Sequence, residues 1–186
     1  MKFLKMLTLT GLVLFAFACN QAKSIKEEIQ ELNKDKKDSL AIDYLLNGEA
    51  SYLANKYEEA IVFLDTAIYY DSLLGTAYYY RALSKAPLEQ FQSALNDLEQ
   101  ASKISPKEIS IFYYKGLLNL SLKNKDEALR NAYLAIELNP NNSIAYQKGG
   151  VIKMMCGKEE EACQDWAKAD SMGNKDAVEL IEQYCK

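Results

Sequence analysis

The stretch ISIFYYKGLLNLSLKNKDEALRNAYLAIELNPNN, residues 109–142, contains the pattern that decides the fold of this chain. It has two apolar segments with helical spacing, separated by the turn residues Lys123, Asn124 and Lys125. Pro140 follows the second segment, at a place where it cannot continue a helix. The stretch therefore predicts two helices joined by a short turn.

The same pattern occurs four times between Ala41 and Asp176, with a period of 34 residues and no insertion or deletion. Four positions keep their character in every block: two alanines in the second helix, and an aromatic and a small residue in the first. These sets are Ala60, Ala94, Ala128, Ala162; Ala67, Ala101, Ala135, Ala169; Tyr44, Tyr78, Phe112, Tyr146; and Gly48, Ala82, Gly116, Gly150. Antiparallel helices approach closely at small residues while an aromatic ring fills the space beside them. We therefore expect four helical hairpins, with Gly48 and Gly116 packed against the alanine that follows each of them.

These positions resemble those of the tetratricopeptide repeat (TPR) family across residues 41–176. The resemblance implies an all-α fold, an α-solenoid with repeats at residues 41–74, 75–108, 109–142 and 143–176. Ser72 and Asn174 replace the proline that is usual in the family, and Pro87 is expected to shorten or bend the first helix of the second repeat. Residues 175–186 predict a helix that covers the apolar face of the fourth hairpin.

The N-terminus has the features of a secretory signal. Lys2 and Lys5 precede an apolar stretch, residues 6–18, which is shorter than the roughly 20 residues needed to span a bilayer. The stretch ends directly before Cys19 in small residues that resemble a bacterial lipobox. We interpret residues 1–18 as a signal peptide and Cys19 as the lipidated residue. Cleavage by the ordinary signal peptidase, or a buried N-terminal helix of a cytosolic protein, are the alternatives.

Residues 19–40 are polar and rich in charge, and we interpret them as a tether that contains a short helix. Two or more acyl chains at Cys19 suffice for stable anchoring. The sequence therefore predicts a protein of the bacterial cell envelope that is held on a membrane, on its periplasmic or outer face, by an N-terminal lipid.

Cys163 and Cys185 are predicted to form a disulfide. If the last two helices turn at residues 173–174, residues equidistant from the turn face each other, and these two cysteines are centred on residue 174. Export favours such a bond, because disulfides persist in oxidising compartments. Buried free thiols are the alternative, and a metal site is disfavoured because no close cysteine pair or histidine accompanies Cys156. The segment 162–166, with Tyr184 and Cys185, also resembles the end of Bacteroidetes repeat lipoproteins.

The TPR resemblance also implies a concave groove lined by the first helix of each repeat. Mapped onto this sequence, the groove positions hold mainly apolar and tyrosine side chains, which suit a protein or peptide partner. The groove residues are Leu45, Tyr52, Tyr79, Leu83, Tyr113, Leu117, Gln147 and Val151. A place in the core between hairpins is the alternative for Tyr79 and Tyr113, and the expected role of Tyr44, Tyr78 and Tyr146. The positions of the family's carboxylate clamp hold Leu45, Glu49, Tyr80, Ser110 and Tyr114, so no clamp is expected.

The composition argues against several functions. The chain has 22 basic and 26 acidic residues, which disfavours nucleic acid, and no histidine, which removes His-based catalysis and His metal ligands. We expect no enzyme activity, cofactor, metal or small-molecule substrate. The prediction is a membrane-tethered scaffold or adaptor for other proteins. An accessory subunit that presents or stabilises a secreted enzyme is the alternative, and catalysis by scattered carboxylates and tyrosines is a third, unsupported one.

Overall fold

The computed structural model describes the backbone of residues 2–185 and the side chains of residues 23, 26–28 and 30–185. The side chains of the predicted signal peptide and of Cys19 lie outside the described residues. Nine α-helices account for most of the described backbone: α1 Lys2–Leu53, α2 Tyr57–Tyr70, α3 Gly75–Lys85, α4 Phe91–Ile104, α5 Ile109–Ser121, α6 Lys125–Leu138, α7 Ser143–Met155, α8 Glu159–Ser171 and α9 Lys175–Tyr184.

The helices pack as four successive antiparallel hairpins, and α9 packs on α8. The first helix of each hairpin (A helix) is the end of α1, then α3, α5 and α7, and the second (B helix) is α2, α4, α6 and α8. Helix α1 contacts α3 and α5 contacts α7, whereas successive B helices do not approach each other in this way. The stack is therefore concave on the A side, and the predicted α-solenoid of four hairpins with a capping helix is confirmed.

The turn between the A and B helices has the same backbone shape in every repeat. Asn55, Glu89, Lys123 and Gly157 stand 34 residues apart, and all four have positive φ angles. Each of their N–H groups donates to the carbonyl three residues earlier. The left-handed conformation costs a residue with a Cβ on the order of 1 kcal/mol, so hairpin packing must hold it at the first three turns.

Proline shortens one A helix as expected. Helix α3 ends at Lys85 and a short 3-10 turn, Ala86–Leu88, follows it with Pro87 in the middle. The ring of proline removes a backbone donor and clashes with the preceding turn of a helix. Helix α3 is consequently the shortest of the A helices.

Helix α1 is longer than the sequence interpretation of a short helix in residues 19–40. The segment forms part of one continuous helix, which residues 12–47 permit because they contain neither glycine nor proline. Described side chains between residues 23 and 39 are exposed, so this part of α1 projects beyond the stack. Within the described residues, no helix has the length and apolar character that crossing a membrane would require.

The hairpins are held together where a small residue of the A helix meets a large side chain. A Cβ at Gly48 would lie 2.5 Å from Cγ of Leu64, and one at Gly150 would lie 2.5 Å from Nε1 of Trp166. The expectation that an alanine covers each glycine was wrong for the side chains involved. At Gly116 the nearest atoms belong to Ile152 of the following repeat, 3.1 Å away, because the equivalent of Leu64 is the small Ala132.

A buried ion-pair network joins the first two repeats. The guanidinium of Arg81 donates to both oxygens of Asp97, at 2.9 and 2.5 Å, and also to Asp65 at 2.6 Å. Lys85 Nζ donates to Asp97 Oδ2 at 2.7 Å. The buried carboxylate of Asp97 thus has charged donors on both oxygens, as a buried charge requires.

Helix α9 closes the C-terminal end of the stack. Leu180 and Ile181 pack against the buried residues of α8, and the ring of Tyr184 lies 5.8 Å from that of Trp166. Cys163 and Cys185 form a disulfide with their Cα atoms 5.7 Å apart, which confirms the predicted pair. Cys156 is half-buried and free.

The first prediction concerns the contact between Gly150 and Trp166. Gly150→Ala should lower the free energy of unfolding by about 1–3 kcal/mol, because the added methyl group overlaps the indole ring. In a Trp166→Leu background the same change should cost less, since Ala82 and Leu98 already form this pair in repeat 2. Thermal unfolding followed by circular dichroism measures both costs, and equal costs would contradict the packing described.

The second prediction concerns the disulfide. Cys185→Ser should destabilise the fourth repeat and α9 by about 3 kcal/mol, the loop-entropy value for a link of this span. Urea unfolding followed by the fluorescence of Trp166, the only tryptophan, reports on this end of the molecule. Cys156→Ser is the control and should leave the midpoint unchanged. An unchanged midpoint for Cys185→Ser without reductant would show that the bond contributes nothing.

Candidate functional site

Five tyrosines form a continuous row on the A helices of the first three repeats. The row runs from Tyr52 on α1 through Tyr80 and Tyr79 on α3 to Tyr114 and Tyr113 on α5. Its ring centroids lie 5.7, 5.4, 5.8 and 5.4 Å apart in that order, mostly edge to face. Such pairs contribute about 0.5–1.5 kcal/mol each beyond the area they bury. We call these five residues the tyrosine row.

The row results from one position of the repeat, which holds Tyr80, Tyr114 and Lys148 in repeats 2–4. Each of these side chains reaches back to the preceding repeat. Tyr80 contacts Tyr52, Tyr114 contacts Tyr79, and Nζ of Lys148 lies 4.9 Å from the ring centroid of Tyr113. The periodicity of the sequence thus places these groups in a line across the concave side.

A carboxylate lies at one end of the row. The hydroxyl of Tyr80 donates to Oε1 of Glu49 at 2.5 Å. That hydrogen bond is the main cause, followed by burial, that raises the pKa of Tyr80 to about 12. Tyr80 is therefore a neutral donor at physiological pH.

An ammonium group lies at the other end. Nζ of Lys148 donates to the hydroxyl of Ser110 at 3.3 Å, and no carboxylate lies within ion-pair distance among the described side chains. Burial lowers the pKa of Lys148. The cation is thus held by a hydroxyl and a ring face alone, which leaves it able to accept an anionic partner.

Burial controls the other tyrosines of the row. It is the largest cause that raises the pKa values of Tyr52, Tyr79 and Tyr113, with nearby tyrosines adding to it. Their hydroxyls stay protonated at physiological pH. The row therefore presents apolar ring surface together with neutral hydrogen-bonding groups, and no nucleophile.

A cleft of about 240 Å³ opens between the A helices of repeats 2 and 3. Helices α3 and α5 lack the close approach that joins α1 to α3 and α5 to α7, which leaves this space open. Its lining combines ring faces with hydroxyl groups: Gly75, Thr76, Tyr79, Tyr80, Ser105, Glu108, Ser110 and Ile111. Glu108 and Ser110 also line a second, more polar cleft that extends to Gln147 and Lys148.

Six of the eight residues predicted to line the groove are half-buried on A helices. Tyr52, Tyr79 and Tyr113 belong to the tyrosine row, and Gln147 lines the second cleft. Leu117 packs beside Tyr113, and Val151 packs against the cluster around Trp166. The structure thus brings the predicted tyrosines together, while Leu117 and Val151 contribute mainly to packing.

Leu45 and Leu83 do not line the groove. They are 9% and 7% exposed, so a ligand cannot reach much of either side chain. Leu45 packs with Leu64 and Ala77 between the first two repeats. The correction follows from the rotation between successive hairpins, which turns these positions of the A helix toward the neighbouring repeat.

Sequence reasoning missed Tyr80, Tyr114 and Lys148 as groove residues. They occupy the sixth position of their repeats, next to the fifth position that was mapped. A signal was present, since the position holds large side chains in all four repeats, beginning with Leu46. Among the described residues, no group of three or more potential metal-ligating side chains comes together.

Comparisons with solved structures identify the fold. YrrB, described as a TPR protein with an unusual peptide-binding site, is 26% identical over 80% of this chain and 77% of its own, with a TM-score of 0.58. The TPR domain of Arabidopsis OM64 is 24% identical over 66% of this chain and 98% of its own, with a TM-score of 0.60. PilF of Pseudomonas aeruginosa is 17% identical over 80% and 70%, with a TM-score of 0.65.

No family model and no curated protein matches the chain. The structural neighbours nevertheless agree with the 34-residue period, the turn shared by all four repeats and the position of the small residues. The chain has the fold of the tetratricopeptide repeat proteins.

Proposed function

We propose that this chain is a non-catalytic interaction module that binds a protein or peptide segment along its concave side. The tyrosine row is the observation that carries the proposal. It exposes part of several large rings on a rigid surface, so a partner can bury apolar area at little cost in side-chain entropy.

The surroundings of the row support an extended ligand. The cleft beside Tyr79 and Tyr80 has room for a side chain, and the second cleft continues the surface toward Lys148. Glu49 and Lys148 supply opposite charges at the two ends. YrrB, which has the same fold, is described as having a peptide-binding site, and this supports a peptide ligand here.

We also propose that the module is a lipoprotein of the bacterial cell envelope, anchored through Cys19. The supporting observations are the charged and apolar leader that ends at Cys19 and the disulfide between Cys163 and Cys185. A structural disulfide favours an exported protein, since it would be reduced in the cytosol. In this arrangement α1 carries the repeats away from the membrane.

The third prediction tests the concave side. Replacing Tyr79 and Tyr113 together by alanine should reduce retention of envelope proteins on the immobilised module at least tenfold, because central aromatic contacts commonly contribute 2 kcal/mol or more. Tyr69→Ala is the matched control, since Tyr69 is highly exposed on the B helix α2. Quantitative mass spectrometry of the retained proteins is the measurement. Equal retention by the double variant, with unchanged helicity, would refute the proposed binding surface.

The fourth prediction tests the anchor. The protein purified from bacterial membranes should begin at Cys19 and carry acyl chains, as read from its intact mass and its N-terminal peptide. Cys19→Ser should abolish both the cleavage before residue 19 and the added lipid mass. A chain that begins at Met1, or an unacylated Cys19, would rule out the lipoprotein while leaving the binding surface untouched.

A further inference from the structure

Helix α1 carries a stripe of exposed leucines at the spacing of paired helices. Leu32, Leu46 and Leu53 are 70%, 57% and 69% exposed. They stand fourteen and seven residues apart, and Ile25 stands seven residues before Leu32 in the sequence. Apolar residues repeated every seven positions align on one face of a helix and are typical of a seam with another helix.

The stripe lies away from the core of the first hairpin. Ala41, Leu45 and Gly48, which are buried, form the side of α1 that packs on α2 and α3. Seven-residue steps from Leu46 and Leu53 keep the stripe roughly opposite that side. No described side chain of the chain covers the stripe to the extent seen in the core.

The stripe includes the position that the preceding repeat covers elsewhere in the stack. Leu46 is equivalent to Tyr80, Tyr114 and Lys148, each of which packs on the repeat before it. Upstream of Leu46 the chain continues as α1 and does not fold back as a hairpin. The C-terminal end is covered by α9, whereas this end exposes apolar surface, and the ends of helical-repeat stacks need a cover.

The projecting part of α1 also lacks a partner. Its described side chains between residues 23 and 39 are exposed, including Leu32. A helix of this length without tertiary contacts is marginal in water. The chain therefore has an uncovered apolar end and, on the same helix, an unpaired segment with the same leucine spacing.

We infer that two copies of this chain pair through α1 in antiparallel orientation, so that the projecting part of each covers the open end of the other. Leu32 of one copy then lies beside Leu46 of its partner, about a twofold axis near Ser39. From residue 25 to residue 53 the contact would extend over about 42 Å, at 1.5 Å per residue. Such a contact is self-complementary and closes as a dimer, and α9 blocks growth at the other end.

Charge selects the antiparallel orientation. Lys36 and Asp43 lie beside the leucine stripe on α1. A parallel pair would place Lys36 against Lys36 and Asp43 against Asp43, and like charges across a seam oppose pairing. An antiparallel pair centred near Ser39 brings each Lys36 within a helical turn of the partner's Asp43. The dimer surface is separate from the tyrosine row, so it goes beyond the proposed function and does not depend on it.

The fifth prediction measures the mass of the assembly. Sedimentation equilibrium of the full chain in density-matched detergent should give a dimer, and the double variant Leu46→Glu, Leu53→Glu should give a monomer with unchanged helicity. Val62→Glu is the matched control, because Val62 is 64% exposed but lies on α2, and it should remain dimeric. A monomeric wild type, or a double variant that stays dimeric, would overturn the inference.

Crosslinking tests the orientation independently of that variant. In a Cys156→Ser background, Leu32→Cys and Leu46→Cys are combined in one chain and oxidised under mild conditions. Linked peptides between position 32 of one copy and position 46 of the other are expected, because those positions face each other in an antiparallel pair. Links of 32 to 32 and 46 to 46 would indicate a parallel pair, and the absence of any link would exclude pairing through this face.

Discussion

The close approach of the two helices in each hairpin is the constraint on which the rest of the molecule depends. At Gly48 and Gly150 the side chains of Leu64 and Trp166 occupy the space where a Cβ would stand. Helices this close leave little freedom in their crossing, so every hairpin has nearly the same shape and the same left-handed turn residue. Repetition of one hairpin shape then produces a regular concave side. The tyrosine row is a consequence of that regularity, because a side chain repeated every 34 residues must fall on a line.

The joints between hairpins are less uniform than the hairpins themselves. Glycine 116 accepts Ile152 from the next repeat, which fills the space that Ala132 leaves. Helices α3 and α5 remain further apart than the other neighbouring A helices, and the cleft beside Tyr79 occupies the gap. Binding features therefore arise where the stacking departs from its average, while the stable contacts lie where it does not. This division allows the surface to vary without loss of the fold.

Local patterns were sufficient to predict the hairpins, the shortened α3 and the disulfide. Small residues at fixed spacing determine which helices meet, and Cys163 and Cys185 follow from their equal distance to one turn. The faces of the A helices were harder to assign. Leu45 and Leu83 are buried and Tyr80 and Tyr114 are in the row, because rotation between successive hairpins decides which neighbouring position faces the groove. That rotation depends on packing between distant parts of the chain. The length of α1 was underestimated since isolated helices are marginal, although no glycine or proline interrupts it.

The bond between Cys163 and Cys185 has a consequence for the order in which the molecule comes apart. In a linear stack each hairpin contacts only its neighbours, so unfolding proceeds from whichever end opens more easily. Fraying of α9 alone cannot separate it from α8, because a covalent link of 22 residues joins them. The C-terminal hairpin must therefore open as one unit with its cap. Unfolding of the stack acquires a direction, from the first repeat toward the last, and the hairpin that contains Trp166 is the last to lose its structure.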